Sequence, residues 1–108
     1  MISEWTVTLG ENHPSIAGHF PGHPVIPGVL MLGEVMNGIR RAVRENIEFV
    51  AMPSAKFLAP LHPGESLTIR LDPQSGCTTE FICTAGSRVI AMGCVRYTII
   101  SKKDTSAS

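Results

Sequence analysis

The sequence predicts an α+β domain in which an antiparallel sheet folds around one long helix. Two observations carry this. A single apolar helical stretch begins at Gly28, and β-like segments flank it, one before and several after. A third observation is size. The 108 residues make one domain, 1–108, without internal repeat or linker, whose core is small enough for oligomerisation to help it.

Ser3 to Leu9 sets Trp5, Val7 and Leu9 against Glu4, Thr6 and Thr8, the alternation of a half-buried strand. Gly10 to Pro27 has no period and many breakers, which predicts an ordered loop segment with room for a short helical turn. Pro27 at or near the first helical position is good start chemistry for the helix. Val29 to Gly38 is apolar almost all round, which predicts a buried rather than an amphipathic helix. Arg40, Arg41 and Arg44 gather at its C-terminal end, where cations suit the helix dipole.

Glu48 to Ala59 is the next strand, interrupted by Pro53, so a bulge or an edge position is expected. Leu61 to Gly64 reads as a turn, Glu65 to Leu71 as a strand, and Asp72 to Gly76 as a second turn. Cys77 to Ala85 and Val89 to Ile100 form a hairpin through Gly86, Ser87 and Arg88. Ser101 to Ser108 is polar and expected to fray.

Composition excludes several function classes. Nine basic and nine acidic residues cancel, so no strong field argues for nucleic acid or an anionic membrane. Residues 1–10 carry Glu4 and no apolar core, unlike a signal peptide, and no apolar run approaches membrane-spanning length. Cys77, Cys83 and Cys94 are odd in number and lack C-x-x-C spacing, which fits reduced thiols packed in strands of a cytoplasmic protein. His13 and His62 stand beside prolines without a second ligand at useful spacing, so no metal site is expected.

The chemistry concentrates in the run from His19 to Val29. Pro21, Pro24 and Pro27 fix φ and remove donors, Gly22 and Gly28 permit tight turns or close approach, and the segment runs into a helix N-terminus. A stiffened histidine beside free helix amides reads either as a general base next to an oxyanion site, or as a rigid turn with its histidine bonded to a carbonyl.

This run resembles the signature of the beta-hydroxyacyl-[acyl carrier protein] dehydratases of type II fatty-acid synthesis. Asn12-His13-Pro14, Gly18-His19-Phe20-Pro21-Gly22 and Pro27-Gly28-Val29-Leu30 carry the likeness. Lys56-Phe57-Leu58-Ala59-Pro60 and Pro63-Gly64-Glu65 resemble that family's second block. The resemblance implies a hot-dog fold, a lyase of lipid metabolism without cofactor, an acyl carrier protein or CoA thioester as substrate, and a homodimer that builds each site from both chains. It implies His19 as the base removing the C2 proton, the Gly28 N–H as oxyanion donor, and Phe20 and Asn37 as substrate-side residues.

The chain departs from the family pattern at two places. The family's proton-donating acid stands six residues after the proline matching Pro27, and here that position is Gly33. The nearest acid, Glu34, is one residue late, a rotation of roughly 100° on a helix. Glu34 is therefore read three ways: as the acid swinging back into the space at Gly33, as a buried acid tied to a partner across an interface, or as a structural residue beside a weak or inactive site. A charge in so apolar a helix half needs a partner in any case. The second departure is Leu58 and Ala59, where the family carries arginines that hold the acidic carrier. Carrier docking would then rest on Lys56, Arg40, Arg41 and Arg44, although a solvated helix end explains those arginines equally well. His23 is assigned a mouth or surface position. Two further functions compete with dehydration: a hot-dog thioesterase using Glu34, and a non-catalytic acyl- or carrier-binding subunit, for which the glycine at position 33 speaks.

Overall fold

The structure, a computed structural model, describes residues 2–9 and 25–100. Strand β1 (Ser3–Thr8) precedes helix α1 (Gly28–Val43), and β2 (Ile47–Phe57), β3 (Ser66–Gln74), β4 (Thr78–Ala85) and β5 (Arg88–Ile99) follow it. The strands form one antiparallel sheet in the order β1-β3-β4-β5-β2, so β1 and β2 are its two edges. Both the α+β class and the sheet around a single helix agree with the sequence. The tail at 101–108 lies outside the described residues.

One face of the sheet carries Leu67, Ile69, Leu71, Phe81, Cys83, Ile90 and Val95, all buried. Against it α1 lays Met31, Val35, Gly38 and Ile39, a stripe at the spacing of one helix face. The expectation of a helix buried all round is therefore corrected. Val29 is 71% exposed, and the far side of the helix is not covered by its own sheet. The apolar sequence of that side reflects something other than packing within this one sheet.

Local differences from the sequence reading have simple causes. β3 does not stop at Leu71 but runs through Pro73 to Gln74. The β1 ladder ends at Ser3 opposite Leu71, so at Pro73 the strand has a neighbour only on the β4 side and a missing donor costs little. Cys77 lies in the turn rather than in β4, with a left-handed φ of 57° beside Gly76 at 75°. Gly86 and Ser87 make a two-residue hairpin between paired Ala85 and Arg88, and Gly86 takes the left-handed φ such turns favour. Pro27 caps the helix from outside, not from its first turn. Pro53 behaves as expected: β2 is an edge strand, and its register with β5 shifts between Phe49 and Ser54.

Two struts fix the helix relative to the sheet. At its C-terminal half, the Trp5 indole of β1 lies so close over Gly38 that a Cβ there would collide with the ring. Arg41 stacks its guanidinium over the same indole at 5.4 Å, and Arg40 covers Phe49 at 4.7 Å. At the N-terminal end, the Ile26 N–H donates to the Leu61 carbonyl at 2.7 Å, both residues being buried. The turn that bears Leu61 is in turn gripped by Glu65 and Arg88. The Glu65 carboxylate accepts from both Arg88 Nη1 and Nη2 at 3.0 Å and from the His62 N–H at 2.9 Å, while Arg88 Nη2 also donates to the Pro60 carbonyl at 3.2 Å.

Two outcomes are expected. Replacing Gly38 by Ala should destabilise the fold by about 1–3 kcal/mol, because overlap with a packed indole outweighs the helical preference for alanine. A lowered Tm for Gly38→Ala, partly restored when Trp5→Phe is added, checks this. Arg88, followed by the His62 amide, holds the Glu65 carboxyl down from 4.5 to about 2. Its folded-state pKa being depressed, the pair's contribution to stability is complete above pH 4.5 and is lost as pH falls through 2. An NMR titration of the Glu65 carboxyl should find that low midpoint, and Arg88→Ala should return it towards the ordinary carboxylate range.

Candidate active site

The helix N-terminus and the loop after β2 enclose a crevice of about 520 Å³, with Gly28, Ile26 and Met31 on one side and Phe57, Leu58 and Leu61 on the other. The first amides of any α-helix have no intrahelical acceptor. Among the described residues no side chain caps them, and the first turn carries no acid. The positive end of the helix dipole therefore opens into an apolar crevice without a built-in anion, a setting in which developing negative charge on a carbonyl oxygen is favoured.

Gly28 takes ordinary helical geometry, so its glycine serves close approach rather than an unusual backbone angle. The Phe57 ring comes within 2.9 Å of where a Cβ would stand. The Phe57 role was not read from the sequence, although the Lys56-Phe57 pair was singled out, because ring-to-helix contact across thirty residues leaves no local pattern. Leu58 and Ala59 continue the crevice wall, both donating their N–H to the Ile90 carbonyl, at 2.8 and 3.4 Å.

Gly33, Asn37 and Glu34 fall as follows. At roughly 100° per residue, Gly33 stands about 180° from the centre of the buried stripe, so it faces away from its own sheet. A Cβ at Gly33 would meet nothing within 4 Å among the described residues. Val29 and Asn37, one turn to either side, share that outward face. Asn37 is exposed and its Oδ1 accepts from Arg40 Nη1 at 3.4 Å. Glu34 is half-buried on the flank, turned by about 100° from Gly33, and has no ion pair among the described residues. The protomer thus does not bring Gly28 together with the face bearing Gly33 and Asn37. His19 and Phe20, and also His13 and His23, lie outside the described residues.

Lys56 is exposed on the outer face of the sheet, in a separate recess of about 450 Å³ bordered by Arg70, Glu80 and Met92. Arg40, Arg41 and Arg44 stand at the far end of the helix, about 18 Å or more along its axis from Gly28. Two of them are committed to aromatic rings, which favours the structural reading of this cluster. The three cysteines are unpaired, and burial pushes the Cys83 thiol up to about 11, so it packs as an inert apolar group.

Against known proteins, the profile of the ApeI-like dehydratases (ApeI dehydratase) matches residues 2–93. A 3-hydroxyacyl-[acyl-carrier-protein] dehydratase FabZ of Chlamydia trachomatis serovar L2 is 29% identical over 116 aligned positions, covering 95% of this chain and 74% of that protein. Among solved structures, the dehydratase heterocomplex ApeI:P from Xenorhabdus doucetiae superposes with a TM-score of 0.80 at 22% identity, over 89% of this chain and 86% of that one. The fluoroacetyl-CoA thioesterase FlK gives 0.76 at 17% identity, over 99% and 90%. These two likenesses show the hot-dog fold, which supports several chemistries, whereas the family profile bears on the chemistry itself. Spanned by that profile over most of its length, the chain belongs to the ApeI-like dehydratases, lyases of the beta-hydroxyacyl-[acyl carrier protein] dehydratase family.

Proposed function

We propose that the chain eliminates water from a 3-hydroxyacyl thioester carried on acyl carrier protein or CoA, in a cytoplasmic, dimeric assembly and without a cofactor. The observation that carries this is the start of α1 at Gly28, without a side-chain cap among the described residues and opening into the Phe57 crevice, a few residues after His19 in the sequence. His19 removes the C2 proton, the thioester oxygen gains negative charge against the Gly28 N–H, and the C3 hydroxyl leaves as water with a proton given by Glu34 or, where that acid does not reach, by the imidazolium formed at His19. Phe20 beside the base, and Asn37 on the outward helix face, act on the substrate side. Three unpaired thiols favour a reducing compartment.

The outward position of Gly33 supports a site built from two chains. Among the described residues of one chain no crevice faces that side, so the helix of one protomer would lie along the site of its partner. The edge strand β2, with Val50 and Phe57 exposed and Leu58 exposed just beyond it, offers the unpaired backbone that such pairing needs. Sedimentation at micromolar concentration should therefore give a dimer or a multiple of it, and an 11.6 kDa species alone would count against the composite site.

The glycine at 33 also favours a second reading, in which the active assembly contains a different hot-dog subunit and this chain supplies only part of the site. The dehydratase heterocomplex named above is a precedent for pairing. Mass spectrometry on a 3-hydroxyacyl thioester separates the cases: loss of water by the chain alone, loss of the acyl group, or no change until a second subunit is added.

The roles of individual residues are checked by rate. His19→Ala should lower turnover on the order of 100-fold or more, the usual worth of a positioned base. Gly33→Asp has open space among the described residues. A gain with Gly33→Asp and little loss with Glu34→Gln marks a site lacking its acid. No gain from the first and a large loss from the second assigns the acid to Glu34.

A further inference from the structure

We infer that Glu65 and Arg88 are a positioning pair, which holds the helix start and the crevice wall in the geometry that the thioester requires. This rests on the dehydratase reading for its kinetic consequence but not for its structural one.

The pair is poorly suited to stabilising the fold. Its side chains are 31% and 45% exposed, and ion pairs in such settings add little to stability. Yet the geometry is that of a clamp. Both guanidinium nitrogens meet both carboxylate oxygens at 3.0 Å, a fork-to-fork pairing that fixes orientation as well as distance. The same two groups also take hold of the backbone on either side of Leu61, through the Pro60 carbonyl and the His62 N–H.

What lies between those two backbone grips is the connection to the site. Leu61 is fully buried, and its carbonyl receives the Ile26 N–H at 2.7 Å, two residues before the first helical residue, Gly28. Pro27 has its φ fixed near −60°, so little slack separates Ile26 from the helix start. Arg88 itself opens β5, and two residues later the Ile90 carbonyl receives the amides of Leu58 and Ala59, the wall opposite Gly28. One surface pair thus ties the β4–β5 hairpin to both sides of the crevice. A donor that must meet an oxyanion at hydrogen-bond distance tolerates small displacements badly, so loosening this tie acts on the chemical step more than on folding.

The test uses the full chain, with Glu65→Gln, Arg88→Lys and the exchanged pair Glu65→Arg with Arg88→Glu. Amide hydrogen exchange is measured at Ile26, and kcat and KM are measured for a 3-hydroxyacyl thioester. Each single variant is expected to speed exchange at Ile26 at least tenfold while amides within β4 keep their protection. It is also expected to lower kcat about tenfold with KM changed less than twofold and Tm nearly unchanged. The exchanged pair should recover a substantial part of both losses. Unchanged exchange at Ile26 in both single variants would overturn the proposal, as would an equal fall in kcat and Tm. If the wild-type chain does not release water from the thioester, the functional reading fails while the exchange result still decides whether the clamp exists.

Discussion

The helix meets an aromatic ring from each edge of its sheet at a glycine, where the backbone can be approached most closely. The edge strand β1 brings Trp5 onto Gly38, and the other edge strand, β2, brings Phe57 onto Gly28. Between these contacts the helix buries Met31, Val35 and Ile39 against the concave face. The two glycines are therefore not points of flexibility. At Gly38 the indole packs so closely that a Cβ cannot be accommodated, whereas at Gly28 the space is filled by the ring tip of a half-exposed Phe57. The position of the helix start, and with it the candidate oxyanion donor, follows from where these two aromatic rings come to rest.

The same packing leaves the opposite side of the helix for something else. Val29, Gly33 and Asn37 face outward, with Val29 the large apolar side chain exposed there. Val29 on that side is exposed, and edge strand β2 ends in an exposed Phe57 followed by an exposed Leu58. A second subunit on that side, as proposed above, would serve both the site and the stability of a small fold.

Gly33 shows why position on a helix matters more than nearness in sequence. Glu34 is adjacent to the place where the family keeps its acid, yet a regular helix turns it by roughly 100° to the flank. Gly28 shows the converse. Its surroundings come from residues some thirty positions on, in the Phe57 wall and in a turn fastened by Glu65 and Arg88.

The sequence by itself determined the elements and the family. Strand alternation in residues 3–9 and after Glu48, the proline and glycine punctuation, and the single apolar helix from Gly28 act through local propensity and period, which neighbouring residues reveal. The edge character of β2 was legible for the same reason, since Pro53 removes a donor from a ladder. The tertiary structure alone decided which glycines are packing sites, that Pro73 continues β3 past the end of β1, that only one helix face is buried, and that Arg40 and Arg41 serve aromatic rings. It also decided that Glu65 and Arg88, 23 residues apart, meet in a single clamp. These depend on contacts between segments far apart in the chain, and such contacts leave no period for a sequence to display.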